Sequence, residues 1–143
     1  MTCTFFGHRD APERIRGRLH DVLTDLIENR GADTFCVGSQ GRFDEMVLYE
    51  LKKLSESYPH IRYSVVLAYM PGKSDKSGII DHSETVYPDG LENVPRRFAI
   101  DKRNRLMIEW SDTVITYVCS PGGAAKYKEI AERKGKRIIE LFY

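Results

Sequence analysis

Two rhythms of apolar and polar positions alternate along the chain. Thr2 to Phe6 is rich in threonine and aromatic residues and stops at Gly7, the pattern of a strand. From Glu13 to Glu28, residues Ile15, Leu19, Val22, Leu23, Leu26 and Ile27 recur at helical spacing. They predict an amphipathic helix that begins behind Pro12 and stops at Gly31. Thr34 to Val37 predicts a second strand, closed by Gly38-Ser39-Gln40-Gly41. Phe43, Val47, Leu51 and Leu54 are in phase for a second helix, and Ile61 to Tyr69 reads as a third strand. A third helix is expected from Pro95 to Trp110 and a fourth strand from Thr113 to Val118. Gly122-Gly123 opens a fourth helix reaching Lys134, and Arg137 to Leu141 makes a fifth strand.

Strands that alternate with helices build βαβ units with right-handed crossovers. The expected fold is therefore α/β: a single three-layer Rossmann-like domain over residues 1–143, with a mainly parallel five-stranded sheet in the order 3-2-1-4-5. In that order the connections reverse between the first and fourth strands, and ligands of such sheets bind in the crevice at the reversal. Gly7-His8-Arg9 and Cys119-Ser120-Pro121-Gly122-Gly123 would flank it. Met70 to Asn93, with Pro71, Gly72, Gly78, Pro88 and Gly90, breaks the rhythm. It reads as a long irregular excursion with a short extended piece around Thr85 to Tyr87.

The residues at the expected crevice carry the chemistry. Ser120, Gly122, Gly123 and Ala124 lead from a strand into a helix, where unpaired backbone N–H groups suit phosphate. Gly38, Ser39, Gln40 and Gly41 repeat the arrangement, and Asp44 follows in the first helical turn. That carboxylate either points along the buried face toward the crevice or simply complements the helix dipole. Arg9 can pair with phosphate, and His8 can donate or accept a hydrogen bond. Arg103 falls mid-stripe on the third helix among Ala99, Ile100, Leu106, Met107 and Trp110, with Asn104 at the edge of the arc. A guanidinium there needs an anionic ligand or an internal partner, Asp44 or Asp112. Tyr69 and Tyr87 are candidates to stack on a base.

Composition narrows the partners. The chain has 22 Lys plus Arg against 21 Asp plus Glu, a formal net charge of +1, so no basic excess prompts a nucleic-acid partner. No apolar run approaches the ~18–20 residues of a membrane span, and the first residues lack the pattern of a signal peptide. Cys3, Cys36 and Cys119 are odd in number and far apart, giving neither a disulfide framework nor a metal motif. Each is expected to act as a small apolar residue in or beside a strand. The expected location is the cytoplasm, with no metal and no cofactor.

Gly7-His8-Arg9, Gly38-Ser39-Gln40-Gly41-x-x-Asp44 and Arg103-Asn104-x-x-Met107 before Ser111-Asp112 resemble the SLOG superfamily, nearest its small bacterial and phage members related to the YpsA group. The resemblance covers nearly the whole chain and implies a Rossmann-like nucleotide-binding domain. It is also similar to the cytokinin-activating phosphoribohydrolases in Arg103, Met107, Ser111, Asp112, Pro121, Gly122, Gly123 and Glu129. That branch would make Arg103 and Glu129 catalytic. The chain departs from its pattern at Asn104, Ala125 and Lys126, and Glu129 falls opposite Tyr127, Ile130 and Ala131 on its helix. The function the resemblance implies is binding of a nucleotide or ADP-ribose-like ligand at the C-terminal ends of the strands, as a sensor or binding module. The alternative is N-glycosidic hydrolysis of a nucleoside monophosphate. The expected partners are that small ligand and, in a homodimer, a second copy of the chain, without membrane; a nucleic-acid-binding or protein-interaction domain, the third class that other superfamily members suggest, gains no support from the charge balance.

Overall fold

A computed structural model describes residues 1–70 and 85–143. The strands are β1 (Thr2–Gly7), β2 (Thr34–Val37), β3 (Arg62–Val66), β4 (Thr85–Val86), β5 (Thr113–Tyr117) and β6 (Arg137–Glu140). The helices are α1 (Arg16–Asn29), α2 (Arg42–Ser57), α3 (Arg96–Trp110) and α4 (Gly123–Arg133). Short 3-10 turns at Glu13–Ile15 and Leu91–Asn93 lead toward α1 and α3.

Every strand pairs parallel to its neighbours, in the order β4-β3-β2-β1-β5-β6. The expectation of five strands in the order 3-2-1-4-5 is corrected in number and order. Thr85–Val86, only two residues long, pairs with Val65 and Val66 and becomes the sheet's edge. A strand so short carries too little alternation to be told from a loop by pattern. Residues 71–84 of the expected excursion lie outside the described residues.

Alternation along the strands divides the apolar residues between two layers. Phe5, Phe35, Val37, Ile115 and Tyr117 meet Leu19, Leu23, Leu26, Phe43, Val47 and Leu51 of α1 and α2. Phe6, Cys36, Val66 and Val114 meet Met107, Ile108, Tyr127 and Ala131 of α3 and α4. Cys3 and Cys36 are buried as expected, whereas Cys119 is exposed in the loop after β5. Two neighbours expected on the buried stripe of α3 also differ: Trp110 is 41% exposed and Leu106 only half-buried, while Ile108 is buried.

Because the sheet is parallel, its C-terminal strand ends share one edge, and the order of connections reverses between β1 and β5. Gly7 ends β1 against α2: a Cβ added there would lie 2.4 Å from the Phe43 ring, whose side chain is wholly buried. Gly7→Ala should therefore lower the unfolding free energy by at least the usual overpacking cost, about 1–3 kcal/mol, in chemical denaturation. An unchanged midpoint would mean that α2 shifts freely on the sheet.

Candidate functional site

Backbone contacts tie three loops together at this edge. His8 Nε2 accepts the Cys119 N–H at 2.9 Å and stands 3.5 Å from Ser120 Oγ, which joins the loops after β1 and β5. The Tyr117 ring meets the imidazole edge-on, 5.8 Å between centres. With Nε2 accepting, the ring's proton sits on Nδ1, so His8 serves first to hold the loops. The Arg9 carbonyl accepts the Arg42 N–H at 2.9 Å, and Arg9 Nη2 donates to Gln40 Oε1 at 3.2 Å. Gly41 permits this approach: its φ is +88°, and a Cβ would fall 2.8 Å from Arg9 Cα. Such a backbone belongs to glycine.

Between the loops lies a cleft of about 280 Å³. Gly7, His8, Arg9, Gly38, Gln40, Asp44, Arg103, Asn104, Gly123 and Ala124 line it. Ser39, Gly41, Ser120 and Gly122 belong to the same loops but do not form its wall. Phe5, Phe6, Ile100, Met107 and Tyr127 also line the cleft and had not been singled out as site residues. The helical phase of Ile100 and Met107 with Arg103 could have found two of them. Tyr127 Oη donates to Asp101 Oδ1 at 2.8 Å, so this wall also ties α4 to α3.

Two charged groups sit deep in the cleft. Asp44 Oδ2 accepts the Gln40 N–H at 2.8 Å, closing the start of α2 from within its first turn. Its place serves both expectations: it lies in the first turn of α2, where a carboxylate complements the helix dipole, and it lines the cleft. Burial pushes its pKa up to about 6, against the Gln40 N–H and the charge of Arg103, which pull it down. Arg103 is 1% exposed. Its Nε donates to Asn104 Oδ1 at 2.8 Å and its Nη1 to the Val66 carbonyl at 2.9 Å. Burial draws its pKa below the usual arginine value, while Asp44 opposes the shift. Gly38 separates the two groups. A Cβ there would sit 3.0 Å from Asp44 Oδ2 and 3.5 Å from Arg103 Nη2.

Other expected roles fall away from the cleft. Asp112 accepts the Thr2 N–H at 2.9 Å beside the start of β1, so it is not the partner of Arg103. Ser111 Oγ donates to the Met107 carbonyl at 2.7 Å and finishes α3. Glu129 is exposed on α4 in an ion pair with Arg133 and does not line the cleft, so no Arg103–Glu129 hydrolytic pair is assembled. Among the described residues, no group of three or more His, Cys, Asp or Glu side chains could hold a metal, and no helix is long and apolar enough to cross a membrane.

No family model and no curated protein matches the chain. Its fold is similar to that of DNA processing protein A from Helicobacter pylori, whose solved structure describes that protein's single-stranded DNA binding mode. The likeness has a TM-score of 0.67 at 15% identity and covers 98% of this chain. The chain spans 64% of the length of that protein. This finding overturns the expectation of a small nucleotide-type ligand or substrate and of no nucleic-acid partner: the fold's neighbour handles a DNA strand.

Proposed function

We propose that the protein binds single-stranded DNA, with the cleft at the ends of β1, β2 and β5 seating the phosphate backbone. Arg103 carries this reading. It is buried on the cleft wall with only neutral hydrogen-bond partners among the described residues, and Asp44 acts on it by charge across Gly38 without forming an ion pair. A buried cation is costly unless something anionic meets it, and a phosphate in the cleft would do so. Gly123 and Ala124 add the unpaired N–H groups of the start of α4, and Arg9 adds an exposed charge at the rim. The likeness in fold to a single-stranded DNA-binding protein supports the same reading. The SLOG resemblance of the glycine loops and Arg103 belongs to it as well, their phosphate-suited groups serving a strand.

Fluorescence anisotropy with a labelled oligonucleotide tests the proposal. The single strand should bind more tightly than its duplex, because a cleft of about 280 Å³ lined by the buried Arg103 is too small to admit a double helix. If Arg9 and Arg103 each neutralise one phosphate, log K should fall with log salt at a slope of about −1.4. Equal affinity for duplex, or no binding at low salt, would overturn the reading.

A further inference from the structure

A second recess, of about 350 Å³, lies at the ends of β3 and β4, lined by Tyr69, Met70, Tyr87, Leu91, Glu92 and Arg96. It shares a wall with the cleft. Arg96, Ile100 and Arg103 follow one stripe of α3; Arg96 lines the recess, and Ile100 and Arg103 line the cleft. Seven residues of helix put Arg96 about 10 Å along the axis from Arg103. The Arg96 guanidinium carbon lies 4.2 Å from the centre of the Tyr69 ring, and Tyr69 Oη donates to the Arg96 carbonyl at 3.3 Å. A flat cation is thus stacked on an aromatic ring at the mouth of a base-sized hollow.

We propose that this recess is a nucleobase subsite, in which a base of the bound strand stacks on the Tyr69–Arg96 platform while its backbone crosses the cleft. The inference rests on the single-stranded DNA reading and adds where a base goes. Aromatic rings and arginine planes are the surfaces on which unpaired bases stack. Glu92 argues for a base here and against a phosphate, since a carboxylate repels phosphate but accepts a hydrogen bond from an exocyclic amino group. Cytosine and adenine carry that group where thymine has a carbonyl.

Two labelled probes of equal length decide the matter: a deoxycytidine octamer and an octamer of abasic sites, which keeps the phosphates and lacks the bases. Tyr69→Leu should bind the deoxycytidine octamer roughly 5- to 150-fold more weakly, the loss of one stacked base. It should bind the abasic octamer as the wild type does, and Tyr69→Phe, which keeps the ring, should behave as wild type with both. Tyr69→Leu with undiminished deoxycytidine binding, or with equal losses on both probes, overturns the subsite. If Arg103→Met still weakens both probes in that case, the backbone reading stands without it. Wild-type protein that binds neither probe overturns both proposals together.

Discussion

Asp44→Asn should raise the unfolding free energy at pH 7.5 by up to about 3 kcal/mol and remove the fall in stability that Asp44 imposes between about pH 4 and 6. The sign follows from the direction of the shift. Burial lifts the folded-state pKa from 3.8 to about 6, so between those values the folded chain holds a proton that the unfolded chain has released. The associated stability is complete below 3.8 and declines as pH rises, until it is gone above about 6. A rise of about two, at ~1.36 kcal/mol per pH unit, gives the stated figure. Asparagine keeps the oxygen that accepts the Gln40 N–H, which carboxylate Oδ2 now receives at 2.8 Å. It stays uncharged throughout. Urea unfolding of both proteins at pH 4, 5, 6 and 7.5 measures it. Parallel curves for the two would mean that Asp44 is solvated in the folded protein.

The same carboxylate should shape DNA binding. A phosphate seated at Arg103 comes close to Asp44, with Arg9 and His8 the other ionisable residues on that side of the cleft. Like charges resist one another, so binding above about pH 6 draws a proton onto Asp44. Affinity then weakens by up to tenfold for each pH unit above that value, the slope for uptake of one proton. Asp44→Asn removes this dependence.

The layers were legible in the sequence because each face repeats its signal. Leu19, Leu23 and Leu26 reinforce one another over two turns, as do the alternating residues of β1 and β5. Thr85–Val86 had no such repetition, and a two-residue strand is made by its partner, β3, more than by its own side chains. Trp110 shows the limit of a helical wheel: its phase is right, but α3 ends there and the ring is left 41% exposed.

At the site, motif and position agreed for the loops. Gly38 and Gly123, between a strand and a helix, do line the cleft, as does Arg103, whose charge interrupts an apolar stripe, whereas Gly41 and Gly122 only shape the loops behind it. The proposed partner was not legible. A net charge of +1 sums the whole surface, and it hides that Arg9, Arg96 and Arg103 outnumber Asp44 and Glu92 along one edge while several carboxylates elsewhere are taken up in surface ion pairs. Glu13 pairs with Arg16 and Arg42, Asp25 with Arg30, and Glu129 with Arg133. Only placement separates the two groups of charges.

Arg103→Met is expected to weaken oligonucleotide binding by about 1.5–3 kcal/mol, the worth of a charged hydrogen bond, while leaving the free protein folded. Two effects oppose each other in the unliganded chain. Removing the guanidinium takes the Nη1 bond from the Val66 carbonyl and the Nε bond from Asn104 Oδ1, each an acceptor whose loss costs about 1 kcal/mol or more. It also relieves a nearly fully buried cation that has no ion-pair partner among the described residues, a relief of similar size. Methionine fills most of the space left beside Met107, which limits any cavity. The melting temperature should therefore move by only a few degrees, whereas binding falls for every probe that carries phosphates. A collapse of the free protein with binding otherwise normal would make Arg103 a structural tie between α3 and β3. The pairing with Asp44→Asn separates the alternatives further. If both residues act on one bound phosphate, the double variant should lose the pH dependence and the affinity together, whereas independent structural roles would leave the two losses simply additive.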